Sequence, residues 1–284
     1  MTSTPRLQFS RRVSVASGGG DATGSRLAIA IPGIALAVSV IWVGDVTFAS
    51  VLVVLGILGL SELHSLTAAA RPVRWAGDLC VVLWILLPLF GTSPSRQLVL
   101  GAVACLLISA VGGLTGRRRD DVTLRVAVTT FGGLYIGLPF AMLVALREGP
   151  HGAAAVANVV VGTWSFDTFS YLGGRVWGRT PIAPRTSPNK TVEGAVIGLL
   201  GAVLCVVLAG LYMDWISLLE SILLAVAICV AAFVGDLFES MLKRDAQVKD
   251  SGTILLGHGG ILDRFDALLF SAPIAYVVTS WLVG

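Results

Sequence analysis

The stretch KRDAQVKDSGTILLGHGGILDRFD, Lys243 to Asp266, places eight charged residues and a histidine between two long apolar runs. Just ahead of it Asp236, Glu239, Ser240 and Lys243 recur at i, i+3, i+4 and i+7, which stacks all four on one helix face. Asp263 and Asp266 follow, one helical turn apart at the start of the last apolar run, where the free amides of a helix N-terminus favour anions. Between these acids Gly257, Gly259 and Gly260 permit positive φ and a close approach of backbone N–H groups, so the connector is suited to cradle a phosphate. Asp236 and Asp263, brought from separate helices with no cysteine and few histidines nearby, suit Mg²⁺ rather than zinc. Magnesium takes one or two protein carboxylates and completes its shell with water and substrate phosphates. The competing reading of any single acid here is a carboxylate solvated at a membrane interface.

A second constellation lies upstream. Asp167 sits inside an apolar run, where a charge costs roughly 2.5 to 3.5 kcal/mol, so it is expected to face a bundle interior or a polar cavity. In the loop that follows, Arg185, Ser187, Lys190 and Thr191 offer cations and hydroxyls for phosphate, and Pro184 and Pro188 stiffen the chain. The alternative is an ordinary basic loop drawn to anionic lipid. His64 and His151 stand apart from both clusters and read as non-catalytic loop residues, and Gly116 to Asp121 reads as a topology determinant.

The elements that must position these residues are set by composition. Hydrophobic residues make up 55% of the chain and charged residues 13%, with a mean hydropathy of +0.86, which excludes an ordinary soluble domain. Apolar runs recur at about 27–43, 46–61, 75–90, 97–115, 126–146, 153–172, 192–213, 217–235 and 267–284. The expectation is an all-α integral membrane protein, a bundle of about nine transmembrane helices, because lipid offers no partner to unpaired backbone and no β-barrel alternation is visible. Cys80, Cys105, Cys205 and Cys229 all fall in apolar runs without metal or redox spacing and read as small core residues.

Residues 1–26 read as a disordered basic tail, 27–152 as N-terminal membrane helices, and 153–284 as the catalytic region with loops at 173–191 and 236–266. With the N-terminus inside, 18 of the 20 Lys and Arg fall in inner segments and only Arg96 and Arg147 outside, so the tail and both loops are expected in the cytoplasm. No internal repeat of the kind that builds transporters is visible.

Taken together these stretches resemble the phosphatidate cytidylyltransferase (CDP-diacylglycerol synthase) family. The resemblance rests on Ser240-Met-Leu-Lys-Arg244, Lys249-Asp250, His258-Gly-Gly260 and Asp263-Arg-Phe-Asp266 at the family's spacing, and upstream on Asp167, Gly174-Arg175 and Ser187-Pro-Asn-Lys-Thr-Val-Glu-Gly194. Leu256 stands where the family usually has a proline, a departure that removes no charge or ligand. The resemblance implies CTP + phosphatidate → CDP-diacylglycerol + pyrophosphate, dependent on Mg²⁺, with room for a second cation of unspecified identity. Its partners would be CTP, phosphatidate and the lipid bilayer, with no nucleic acid, in a bacterial inner membrane. Homodimerisation is compatible with such a bundle.

Asp236 and Asp263 are then the leading metal ligands, with Asp167 and Glu239 as further ligands or acids behind them. Lys243, Arg244, Lys249 and Arg264 would neutralise phosphates, Lys249 alternatively pairing with Asp250, and His258 would donate to pyrophosphate or shape the turn. The segment Ser187 to Glu193, with Arg185, Gly259 and Gly260, would contact nucleotide or lipid phosphate. The rival readings are a CTP-dependent polyprenol kinase and an ion or lipid transporter.

Overall fold

Each apolar run of the described sequence folds as a helix, as a chain with no water to satisfy its backbone must. The computed structural model describes residues 33–91, 93–115, 120–252 and 259–283. In chain order the helices are α1 (Gly33–Val43), α2 (Asp45–Leu66), α3 (Arg74–Leu86), α4 (Pro94–Leu114), α5 (Val122–Gly132), α6 (Leu138–Arg147), α7 (Gly152–Trp177), α8 (Val192–Gly210), α9 (Leu218–Asp245) and α10 (Leu262–Val283). A π-turn, Gly133–Gly137, joins α5 to α6 into one run, directly before Pro139, whose missing N–H an unbroken α-helix would leave as a gap. Among the described residues six helical stretches are long and apolar enough to cross a membrane: α2, α4, α5–α6, α8, α9 and α10. The chain divides into two units, Met1–Ser39 and Val40–Gly284, and the residues discussed below all belong to the second.

Two expected loops are shorter than the sequence suggests. α7 runs on to Trp177 and α9 to Asp245, so Gly173 to Arg175 and the whole of Asp236 to Arg244 are helical. Leaving the apolar zone does not end a helix by itself; Leu-Phe-Glu-Ser-Met-Leu-Lys-Arg consists mostly of good helix formers and carries no breaker. The segment after α7 is an antiparallel hairpin, β1 (Pro181–Ala183) and β2 (Ser187–Thr191), which the loop reading missed. His64 is likewise no loop residue: it is buried in the last turn of α2. The tail at 1–26, His258 and Leu256 lie outside the described residues.

The helices that carry the site are packed through small residues. Buried Gly194, Gly198 and Ala202 form a stripe at i, i+4 and i+8 on α8, against which α7 lies closely. A Cβ at Gly198 would meet the Phe166 carbonyl and Ser170 of α7, so only glycine permits this approach. Asp167, the residue after Phe166, is thereby fixed beside α8 and β2. α10 packs along α9 in the same manner, with Gly235 against the backbone of Asp266. α9 begins in a capping box, Ser217 accepting from Glu220 N while Glu220 accepts from Ser217 N, which fixes its start and hence the rotation of its charged end.

Candidate active site

Two groups of charged side chains gather where α7, α9, α10 and the hairpin meet. In the first, Asp167 of α7, Asp236 of α9 and Lys190 of β2 open onto one cleft of about 240 Å³, walled by Phe166 and Phe233 and edged by Ser170, Asn189 and Thr191. Lys190 Nζ lies 2.5 Å from Asp236 Oδ2 and over the Phe233 ring, 5.8 Å from its centroid. The cleft therefore holds hard oxygen donors and one ammonium between aromatic walls.

The second group is a linear bridge. Lys243 Nζ sits 2.6 Å from Glu239 Oε2, one turn earlier on α9, and 2.7 Å from Asp263 Oδ1 on α10. Glu239 is fully buried, so Lys243 supplies the counter-charge that makes its burial tolerable. The other oxygen of Asp263 accepts from Ser251 N at 3.0 Å and Gly260 N at 2.8 Å, so this one carboxylate ties both ends of the connector to α9. Asp266, one turn further along α10, lies within electrostatic reach of Asp236, Glu239 and Asp167 and so joins the two groups.

The remaining predicted residues sort into holders and exposed charges. Glu193 is committed to the hairpin: its carboxylate accepts from Arg179 N at 3.0 Å, Thr180 N at 3.1 Å and Thr180 Oγ1 at 2.9 Å, closing the loop before β1. Thr191 caps α8 by accepting from Gly194 N at 3.2 Å, and its side chain edges the cleft. Arg244 Nε donates to the Thr186 carbonyl at 3.3 Å, which ties the end of α9 to the turn of the hairpin. Arg185, Lys249, Asp250 and Arg264 are exposed and lie outside the lining of the cleft, Ser187 opens β2, and Lys249 forms no ion pair with Asp250. Gly259 has φ +81°, the left-handed conformation the glycine reading anticipates, whereas the Gly260 N–H is already given to Asp263.

Glu62 of α2 is the residue that sequence reasoning missed. Its buried carboxylate accepts from Ser251 Oγ at 2.9 Å, Ile261 N at 2.9 Å and Leu262 N at 2.8 Å. The available signal was weak: Glu62 stands at the end of the apolar run 46–61 beside Ser61, His64 and Ser65, where an acid reads as solvated, unlike Asp167 inside its run.

Among the described residues no three His, Cys, Asp or Glu side chains converge into a metal cage made by protein alone. The donor set nonetheless fits Mg²⁺, which asks for only one or two carboxylates beside water and phosphate. The carboxyl groups of Asp167, Asp236, Glu239, Asp263 and Asp266 outnumber the ammonium groups of Lys190 and Lys243, and two of them, Asp167 and Asp236, line the open cleft.

A profile of the cytidylyltransferase family matches residues 24–282, nearly the whole chain and every residue of both charged groups. The chain belongs to the cytidylyltransferase family. Among its relatives, the phosphatidate cytidylyltransferase of Thermotoga maritima is 34% identical over 235 residues, 80% of this chain and 86% of the relative. That of Synechocystis is 32% identical over 88% of this chain and 94% of its own length. The Bacillus subtilis protein of the same name is 41% identical over a shorter stretch, 53% of this chain and 57% of the relative. The cytidylyltransferase resemblance carried by the two C-terminal motifs thus extends into the N-terminal helices.

Proposed function

We propose that this cytidylyltransferase-family chain joins CTP to phosphatidate, giving CDP-diacylglycerol and pyrophosphate. The observation that carries the reading is the cleft where Asp167, Asp236 and Lys190 face one another at the end of membrane helices, inside a chain related along most of its length to phosphatidate cytidylyltransferases. A phosphate oxygen of phosphatidate attacks the α-phosphorus of CTP; the bond from that phosphorus to the bridging oxygen breaks, and pyrophosphate leaves. A phosphate monoester, with a second pKa near about 6, is largely dianionic at neutral pH, so no strong general base is required. What the reaction requires is alignment of two anionic substrates and screening of their charge.

The residues divide that work. Lys190, beside the open cleft, exchanges its contact with Asp236 for a substrate phosphate, and Arg185 and Arg264 add positive charge at the rim. Lys243 holds Glu239 and Asp263 in register, and Arg244 holds the hairpin over the cleft. Asp236 and Asp263, with Asp167 and Glu239 behind them, would hold Mg²⁺, and Asp266 belongs in the same set. Bound there, the ion would polarise the phosphoryl oxygens and offset their charge. A second cation, whose identity is open, fits the remaining excess of carboxylates. Ser187, Gly259 and His258 are kept as phosphate contacts.

In this reading all nine apolar runs span a bacterial inner membrane, with the N-terminus and the site on the cytoplasmic side, where CTP is available. The concentration of Lys and Arg in the inner segments supports that orientation. Assembly as a homodimer is compatible with it.

The test is to incubate purified protein with phosphatidate, Mg²⁺ and CTP labelled at either the α- or the γ-phosphate, and to extract the lipid. Label from the α-position in lipid, lost in Asp236→Asn, is the expected result. Transfer of the γ-label would establish a lipid kinase instead, and no transfer from a folded protein would leave a non-enzymatic membrane function.

A further inference from the structure

Helix α10 starts in an unusual way. The first amides of a helix have no partner within it and are normally satisfied by a side chain just before the helix or by water. Here the acceptor comes from the other end of the chain: Ile261 N and Leu262 N both donate to the carboxylate of Glu62 on α2, at 2.9 Å and 2.8 Å. Glu62 is 4% exposed, so this negative charge is held almost entirely by those amides and by the Ser251 hydroxyl at 2.9 Å. A carboxylate on a helix N-terminus also gains from the helix dipole, more strongly where water is excluded.

Ser251 is shared. Its hydroxyl goes to Glu62 and its N–H goes to Asp263 at 3.0 Å, while Gly260 N also goes to Asp263 at 2.8 Å. Two carboxylates, one from each half of the chain, therefore pin the same two chain segments. The fit is tight on both sides, since a Cβ at either Gly252 or Gly260 would run into the Glu62 carboxylate. Asp263 in turn holds Lys243, and Lys243 holds Glu239. Glu62 is thus linked to the charged bridge of the site by two short routes, the start of α10 and Ser251.

We infer that Glu62 is a positioning residue for catalysis: by anchoring Ser251, Ile261 and Leu262 it fixes the start of α10 and with it the Asp263–Lys243–Glu239 bridge. Among the described residues Glu62 is not part of the lining of the cleft. The inference rests on the cytidylyl-transfer reading for its kinetic arm and on geometry alone for its other arm.

The experiment compares wild type, Glu62→Gln and Ser251→Ala in detergent, by steady-state cytidylyl transfer and by hydrogen exchange of the peptide containing Ile261 and Leu262. In Glu62→Gln one acceptor oxygen becomes an amide that faces donors, and the helix start loses its anion. The expected result is a kcat lowered about tenfold or more with KM for CTP held within about twofold, the signature of lost alignment rather than lost binding. Exchange at those amides should quicken about tenfold while α2 and the rest of α10 keep wild-type protection. Ser251→Ala, which removes one contact and leaves the carboxylate, should move both readouts the same way by a smaller factor. It decides the matter if Glu62→Gln fails to fold. Wild-type kcat, or lost activity with unchanged exchange at the start of α10, overturns the inference, as does exchange quickened uniformly throughout. An inactive wild type would instead defeat the proposed reaction, and the exchange arm would still judge the role of Glu62.

Discussion

Lys190 of β2 and Asp236 of α9 meet at the mouth of the cleft with Nζ 2.5 Å from Oδ2, and their side chains keep 19% and 34% of their exposure. Lys190 Nζ is shielded from water while Asp236 keeps about a third of its exposure, so the carboxylate can be rehydrated through the cavity when the ammonium leaves, and the pair's place there points to exchange with a ligand.

Replacing Lys190 with Met should therefore cost rate and not fold. Loss of one charged contact to phosphate corresponds to about 1.5 to 3 kcal/mol, or a fall of roughly ten- to a hundredfold in the initial rate of lipid labelling. The unfolding temperature in detergent should stay within a few degrees of wild type, and Lys190→Arg should retain part of the rate. A Lys190→Met protein at full speed would remove Lys190 from the site.

Lys243→Met should cost fold as well as rate. It leaves the fully buried Glu239 without its counter-charge, a change that costs about 3 to 5 kcal/mol in a buried pair. The double variant Lys243→Met/Glu239→Gln removes that stranded charge and should regain most of the lost thermal stability while remaining inactive. Equal unfolding temperatures for the single and double variants would argue that the burial of Glu239 is not balanced by Lys243.

Glu193→Ala removes the acceptor for Arg179 N, Thr180 N and Thr180 Oγ1 at the base of the hairpin. The hairpin carries Lys190, so the expected effect is a raised KM for CTP with kcat nearly held, read from steady-state kinetics. A fall in kcat at unchanged KM would place Glu193 among the reacting groups.

Chelation of divalent ions should abolish lipid labelling, and Mg²⁺ should restore it. Asp236→Asn should need about tenfold more Mg²⁺ for half-maximal rate, if any rate remains, because one hard anionic donor is gone. Unchanged labelling after thorough chelation would remove the metal from the proposal.

The sequence made some of this plain and hid the rest for physical reasons. Apolar runs mark helices because lipid leaves the backbone no other choice, and α2 to α10 lie where those runs do. Asp236, Glu239 and Lys243 could be placed on one face from spacing alone, since helix periodicity is local. The hairpin was hidden by its three prolines, Pro181, Pro184 and Pro188, and its shortness: a three-residue strand carries almost no alternation to read. The partner of Lys190, and the grip of Glu62 on Ser251, Ile261 and Leu262, are products of tertiary packing between distant segments, which no local pattern encodes.

α9 has a mechanical consequence. Asp236, Glu239 and Lys243 ride on one uninterrupted helix, seven residues from first to last, or about 10 Å of rise. The helix is stiff over that length, so any sliding or turning of α9 carries all three charges together, like teeth on one rod. Asp263 and Asp266 are fixed to α10 in the same way, and the relative motion of the two charged sets reduces to the slip of one rod along the other. A displacement of any one of these side chains together with its backbone is thereby passed to the others on the same helix.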